Sequence, residues 1–131
     1  MKNYIDVLVC GAHLSGMGLN PQLIERGAIL LEATESASEY RLYAIAGGPP
    51  FRPAMVKVST DGSAIPVEVW RLSVAAFGDF VSLIPAPLGI GKVKLADGRE
   101  VCGFIAEPIA LEGATDITHL GGWRNYMASL S

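Results

Sequence analysis

The sequence predicts an α+β fold, namely a mixed β-barrel or sheet with short flanking helices. Strand-like runs outnumber helical segments, and the two do not alternate as they do in a doubly wound parallel sheet. Two turn signals, Asp61-Gly62 and Asp97-Gly98, favour antiparallel hairpins. No internal repeat or linker interrupts the 131 residues, so a single domain over residues 1–131 is expected.

The first half of the chain combines strands with one short helix. Residues 5–9 are almost continuously apolar, which is typical of a buried strand, and a glycine-rich loop follows over residues 11–18. Asn20-Pro21 predicts the start of a helix that runs to Arg26, with Asn20 as its N-cap. Further strands are predicted over residues 28–33, 40–46, 54–60 and 65–72.

The second half begins with a predicted helix over residues 74–83, for which Ser73 is the expected N-cap. Residues 85–91 contain two prolines and two glycines and predict a rigid loop. The remaining predicted elements are hairpin strands over residues 93–95 and 101–106 and a final helix over residues 123–129.

Composition excludes several classes of function. Half of the residues are hydrophobic and 18% are charged, so the chain is expected to fold. The formal net charge of -3 and the scattered lysines and arginines argue against a nucleic-acid partner. The mean hydropathy of +0.37 is high although no apolar run is long enough to span a membrane. This excess predicts a subunit interface, and therefore a homo-oligomer.

The first apolar run, residues 4–10, contains Asp6 and is too short for a signal-peptide core. A cytoplasmic location is therefore expected. Cys10 and Cys102 are the only cysteines, and in a reducing compartment they are expected to be buried apolar side chains.

His13 is a candidate catalytic residue because it lies in the glycine-rich loop after a buried strand. Such loops expose backbone N–H groups that can hold a carboxylate, and a histidine there can exchange a proton near neutral pH. The alternative is a histidine that only stabilises the turn. These two interpretations carry equal weight from the residues alone.

Glu68 is a second candidate, since strand alternation places it on one face with Pro66 and Trp70. An apolar pocket there would raise the pKa of the carboxyl and suit it to acid–base work. The alternative, slightly favoured, is an edge-strand or interface glutamate paired with an arginine.

Tyr40 and Arg41 form a possible anion-recognition group together with Tyr43, because a guanidinium fork matches a carboxylate and phenols add hydrogen bonds. An exposed Arg41 without function is the equally weighted alternative. Arg52, after the Gly47-Gly-Pro-Pro turn, is a weaker candidate for the same role.

Motifs for cofactors and metals are missing. The glycine-rich loop lacks the dinucleotide-binding pattern, and Gly89-Ile-Gly-Lys lacks the spacing of a phosphate-binding loop. Two histidines and two cysteines at distant positions do not form a metal-ligand pattern. No cofactor and no metal are therefore expected.

Several stretches together resemble the C-terminal domain of allophanate hydrolase, over residues 7–127. They include Cys10-Gly-Ala-His-Leu-Ser-Gly-Met, Ile84-Pro-Ala-Pro-Leu-Gly-Ile-Gly and Gly121-Gly-Trp-Arg. The resemblance implies a fold like that of gamma-glutamyl cyclotransferases. It also implies that backbone N–H groups of the loop after the first strand hold a small carboxylate substrate. The matching residues are Gly11, Ala12, Leu14, Ser15 and Gly16.

In that family the domain follows an amidase domain and is thought to promote decarboxylation of N-carboxycarbamate. The 131 residues include no amidase region, so a separate amidase subunit is an expected partner. Residues 79–85 also lack the glutamate that cyclotransferases place there.

Three hypotheses follow from the residues and the resemblance. In the first, the loop and Arg41 anchor one carboxylate while His13 delivers a proton during decarboxylation. In the second, the chain is a non-catalytic assembly module for an amidase. In the third, Glu68 acts as the base of a cyclotransferase-like reaction. Whether His119 lies near His13 stays open.

Overall fold

The computed structural model describes residues 3–131. It contains one mixed and one antiparallel β-sheet, together with short helices. The eight strands within these residues are β1 (Tyr4–Val9), β2 (Ile29–Glu35), β3 (Tyr40–Ala44), β4 (Pro53–Lys57), β5 (Pro66–Ser73), β6 (Leu88–Lys94), β7 (Glu100–Ala106) and β8 (Thr115–Asp116). The helices are α1 (Pro21–Ile24), α2 (Val74–Ser82) and α3 (Trp123–Ser129), with 3-10 helices at Pro108–Leu111 and Thr118–Leu120.

The larger sheet has the strand order β2-β5-β1-β7-β6. Its centre is formed by β1, which pairs antiparallel with β5 and parallel with β7. The outer strands β2 and β6 meet only through an isolated bridge between Ser36 and Leu95. The predicted mixed sheet with short flanking helices is confirmed, and the described residues form no closed barrel.

The smaller sheet has the order β4-β3-β8 and is antiparallel. The prediction that the Asp61-Gly62 turn joins two paired strands was wrong, because β4 pairs with β3. Both edges of β5 are already occupied, by β1 and by β2. The hairpin at Asp97-Gly98 is confirmed by the pairing of β6 with β7.

The predicted loop over residues 85–91 was wrong at its C-terminal end, since β6 begins at Leu88. Glycine is unfavourable in a strand, but here it leaves room for a neighbour. A Cβ atom at Gly91 would lie 2.6 Å from Cδ1 of Ile105 on the paired strand. Gly91 therefore lets the Ile105 side chain of β7 lie across β6.

Two of the helix predictions are confirmed. Helix α3 has the predicted bounds, and Ser73 caps α2 because its Oγ accepts a hydrogen bond from the Ala76 amide at 3.1 Å. Asn20 occupies the predicted N-cap position directly before Pro21, but its side chain makes no capping hydrogen bond. Asn20 has helical backbone angles, and its Nδ2 instead donates to the His13 carbonyl at 2.9 Å.

The core lies under both sheets and includes side chains from the loop after β1 and from the helices. Phe80 of α2 is fully buried and packs edge-on against Phe104 of β7, with 5.9 Å between ring centroids. The largest fully buried side chains besides Phe80 include Leu8, Leu23, Leu42, Ile65 and Leu72, with Trp123 and Ile117 from the C-terminal region.

Candidate functional site

A cavity of about 50 Å³ lies where the loop after β1 meets the start of β4, the segment after α2 and strands β6 and β7. Gly11, Ala12 and His13 form one wall, and Arg52 contributes the cationic group. Most of the remaining wall is apolar, because it consists of Cys10, Leu19, Pro53, Leu83, Ile84, Pro85, Leu88 and Phe104, with Gln22 as the other polar side chain.

The His13 ring is held on two sides by aromatic rings. It stacks on Phe104 with centroids 5.1 Å apart and meets Phe80 edge-on, also at 5.1 Å. Its Nε2 lies 2.7 Å from Oε1 of Gln22. Because an amide oxygen only accepts, this contact assigns the Nε2 proton to the neutral ring and leaves Nδ1 as an acceptor.

Burial lowers the pKa of His13 below its ordinary value, although the hydrogen bond with Gln22 acts in the opposite direction. The neutral imidazole is therefore the resting form near pH 7. A negatively charged ligand beside the ring would favour the imidazolium and raise the pKa again.

Arg52 carries the unsatisfied group of the cavity. Its Nη1 atom is buried and has no hydrogen-bond partner within residues 3–131. Buried polar atoms are nearly always paired, and a guanidinium matches carboxylates in charge and geometry. No backbone hydrogen bond within residues 3–131 uses the amides of Gly11, Ala12 or His13. The same wall thus offers a cation and free N–H donors to an anion.

Gly11 is required by a close approach. A Cβ atom at this position would lie 2.1 Å from Cγ of Pro53, the residue that follows Arg52.

The preceding Cys10 is buried, and burial raises the pKa of its thiol to about 12. Cys10 is therefore a buried apolar side chain, as expected, and its thiol is too weakly acidic to act as a nucleophile near neutral pH.

Glu68 lies in a separate cluster, where its carboxylate accepts four hydrogen bonds. The donors are the Ser15 amide (2.7 Å), Ser15 Oγ (2.8 Å), Trp70 Nε1 (3.0 Å) and Arg124 Nη2 (2.9 Å). Burial acts to raise the pKa of Glu68, but the donors outweigh it and the pKa lies below its ordinary value. The predicted rise in pKa was wrong. The ion pair with Arg124 fits the alternative of a glutamate paired with an arginine, but β5 lies inside the sheet and not at its edge.

The predicted substrate-binding loop therefore divides into two parts. Gly11, Ala12 and His13 line the cavity, whereas Ser15 binds Glu68. Leu14 is buried in the core, and Gly16 is exposed with a φ of 81°.

Tyr40 and Arg41 do not line the cavity. The Tyr40 hydroxyl accepts from the Lys94 amide at 2.9 Å, and Arg41 pairs with Asp116 at 2.8 Å. His119, on the 3-10 helix at Thr118–Leu120, is likewise absent from the cavity wall. The two residues predicted as one cluster thus make separate contacts, Tyr40 with β6 of the larger sheet and Arg41 with β8 of the smaller one.

Sequence reasoning gave too little weight to Arg52 and missed Gln22 and Phe104, which hold or face His13. One signal could have favoured Arg52 as a site residue: it lies directly before a strand and after a glycine- and proline-rich turn. Gln22 and Phe104 lie in unremarkable helix and strand sequences that carry no such signal.

Within residues 3–131, no group of three or more His, Cys, Asp or Glu side chains is placed to hold a metal ion. None of the helices in this part of the chain has the length and apolar character needed to cross a bilayer.

The fold and the site define a small α+β domain whose loop-lined cavity presents a histidine and an unpaired arginine. The family model of the allophanate hydrolase C-terminal domain matches residues 5–128. The chain belongs to this family. Urea amidolyases from Lachancea kluyveri and Saccharomyces cerevisiae are 38% identical to it over 130 residues, covering 96% of this chain. The chain spans only 7% of the length of these curated relatives.

Solved structures agree with this assignment. Kluyveromyces lactis allophanate hydrolase matches with a TM-score of 0.95 and 36% identity, covering 98% of this chain and 22% of that one. A uropathogenic E. coli-specific protein matches with a TM-score of 0.89 and 37% identity, covering 97% of this chain and 98% of its own. A Pyrococcus horikoshii protein with a TM-score of 0.69 and 19% identity shares the fold alone.

Proposed function

We propose that this chain promotes the loss of CO2 from a small dicarboxylate of the N-carboxycarbamate type during allophanate breakdown. One observation supports the proposal most directly: Arg52, whose buried Nη1 has no hydrogen-bond partner within residues 3–131, lines the same small cavity as His13. The family membership connects that cavity to allophanate chemistry. In this scheme Arg52 takes the anchoring role that the sequence suggested for Arg41, which is already paired with Asp116.

The cavity offers different surroundings to the two ends of a dicarboxylate. Arg52 and the amides of Gly11 and Ala12 would bind the retained carboxylate. The departing carboxylate would lie against apolar side chains such as Ile84 and Leu88. An ionised carboxylate loses hydration there, whereas neutral CO2 does not, so the apolar wall favours the product over the charged reactant.

The proposed reaction consumes one proton, and we assign the delivery of this proton to His13. Breaking the bond between nitrogen and the departing carboxyl carbon releases CO2 and leaves the electron pair on nitrogen. One proton must then reach that nitrogen, so N-carboxycarbamate and H⁺ yield carbamate and CO2. The substrate's charge would convert His13 to the imidazolium, and Nδ1, free of the Gln22 contact, would donate the proton.

The test measures CO2 release from freshly formed N-carboxycarbamate, generated by the isolated amidase domain of a related allophanate hydrolase. We expect the wild-type chain to accelerate release. His13→Gln and Arg52→Met should each lower the catalysed rate about 100-fold or more, in keeping with the usual contribution of an acid–base group. The matched controls His119→Gln and Arg99→Met, which alter side chains outside the cavity, should retain the wild-type rate. A wild-type chain that leaves the rate unchanged would refute the proposal.

A second candidate function is an assembly module, supported by an exposed apolar patch. Ile29, Leu30 and Leu31 on the edge strand β2 are between 40% and 62% exposed, and Ile24 of α1 is 55% exposed. An edge strand with apolar side chains and free backbone groups is suited to binding another chain. The occupant would be a second copy of this chain or a separate amidase.

A further inference from the structure

Glu68 is a buried carboxylate in the middle of the sheet that makes no hydrogen bond to a residue lining the cavity. It is 5% exposed and lies on β5, opposite Val9 at the end of β1. Its two oxygens are shared between the Ser15 amide and hydroxyl, Trp70 and Arg124. Ser15, in the loop after β1, thus already binds an anion, which is the carboxylate of Glu68.

Arg124 joins this cluster from the other end of the chain. It is the second residue of α3, and its Nη2 contacts both Glu68 Oε2 at 2.9 Å and Ser15 Oγ at 3.0 Å. The Ser15 hydroxyl donates to Glu68 and accepts from Arg124, so each group in the triangle satisfies the next. Removing Arg124 would leave the buried carboxylate without the one cationic partner that it has within residues 3–131.

Hydrogen bonds restrain the part of the loop that lies between the cavity and Ser15. The Leu14 amide donates to the Gly11 carbonyl at 3.0 Å, and Leu19 donates to Ala12 at 2.8 Å. Asn20 holds the His13 carbonyl at 2.9 Å. We therefore expect a displacement of Ser15 to reach the three loop residues that line the cavity, Gly11, Ala12 and His13, because these hydrogen bonds restrict the backbone between them.

We infer that Arg124 is a positioning residue: by clamping Glu68 and Ser15, helix α3 sets the geometry of the Gly11–His13 wall for anion binding. Arg124 touches no cavity residue and acts only through the loop. The inference deepens the proposed function and rests on the cavity being the anion site.

The test uses amide hydrogen exchange and malonate binding, both followed by NMR on the full chain. Malonate is a stable dicarboxylate with CH2 in place of the NH of N-carboxycarbamate. In Arg124→Met we expect the Ser15 amide to exchange about tenfold faster or more, because its acceptor is no longer held. Malonate affinity should fall about tenfold or more, in keeping with the sensitivity of sites to small displacements.

Two further variants separate positioning from general destabilisation. Arg124→Lys keeps the charge but places it on a shorter, more strongly hydrated ammonium without the planar guanidinium geometry, so it should give an intermediate loss of affinity. It also serves if Arg124→Met does not fold. Arg99→Met removes an arginine that pairs with Asp97 and Glu32 on the surface, and it should leave both readouts unchanged.

Ser15 exchange at the wild-type rate in Arg124→Met, or in Arg124→Lys if only that variant folds, would overturn the inference. Unchanged malonate affinity in the same variant would overturn it as well. A wild-type chain that binds no malonate would count against the proposed function, and the Ser15 exchange rate would still decide whether Arg124 holds the loop.

Discussion

Under the proposed function three residues set what the cavity binds, and each does so through a different property. Gly11 lacks a side chain, which lets Pro53 approach its backbone. Arg52 is half-buried and brings an Nη1 atom without a hydrogen-bond partner within residues 3–131, and His13 brings a ring whose pKa is lowered by burial. Each property is local, but the contact that makes it useful comes from another part of the chain.

Gly11→Ala should damage the site more than its size suggests. The new methyl group would lie 2.1 Å from Cγ of Pro53, so the loop or the start of β4 must move. We expect a loss of about 1–3 kcal/mol in the free energy of unfolding, measured by urea denaturation, and weaker malonate binding.

Gly18→Ala is the matched control, because a Cβ atom there meets nothing within 4 Å and its backbone needs no positive φ. It should remain within about 0.5 kcal/mol of the wild type, as surface substitutions usually do. Equal stability and equal malonate affinity for the two variants would contradict the role assigned to Gly11.

At the scale of elements, β5 is the strand that connects the parts of the molecule. It pairs with β1 and β2, and its Glu68 binds both the loop after β1 and helix α3. A charge in the middle of a buried strand is costly unless it is paired. Here the four donors hold the carboxylate ionised, as the lowered pKa of Glu68 shows.

Glu68→Gln should therefore change how stability depends on pH. The folded pKa of Glu68 lies below the ordinary value of 4.5, so its ionised form stabilises the fold above that pH. This stabilisation is lost as the pH falls from about 4.5 through the folded pKa. Near pH 7 we expect Glu68→Gln to lose about 1.5–3 kcal/mol in unfolding free energy, the value of hydrogen bonds to a charged group.

The difference between Glu68→Gln and the wild type should shrink as the pH falls from about 4.5 through the lower pKa of folded Glu68, because the wild-type carboxyl then becomes neutral like the glutamine. Urea denaturation at a series of pH values measures it. Glu35→Gln, an exposed carboxylate on β2, is the control and should stay close to the wild type throughout. A constant difference between Glu68→Gln and wild type at every pH would be evidence against the ionised Glu68.

The molecule as a whole has an open side at β2. The sheet does not close between β2 and β6 apart from one bridge, and the exposed apolar residues of β2 lie at its edge. A high mean hydropathy of +0.37 is consistent with such a surface. An unpaired apolar edge favours association, because it offers both backbone groups and side chains to a partner.

Light scattering after gel filtration should reveal a dimer when the chain is run alone, or a complex when it is run with an isolated amidase domain. Ile29→Lys should weaken it, since a charge then enters the apolar patch. Ile109→Lys is the control, because Ile109 is 63% exposed like Ile29 at 62% but follows β7, across the sheet. A monomer that ignores the amidase would rule out the assembly function.

The sequence by itself determined the local elements of this protein. The capped helix α2, the final helix α3 and the Asp97-Gly98 hairpin depend on signals between near neighbours, and each was predicted. The glycine-rich loop and His13 were likewise predicted as the start of the site.

Tertiary structure alone decided how these elements combine. The pairing of β4 with β3, the meeting of Arg52 with His13 and the clamp of Arg124 on Glu68 all join residues that are far apart in sequence. Local periodicity carries no information on such contacts, which depend on packing and on the pairing of buried polar groups. For the same reason Glu68 has a lowered pKa although its neighbours in sequence predicted a raised one.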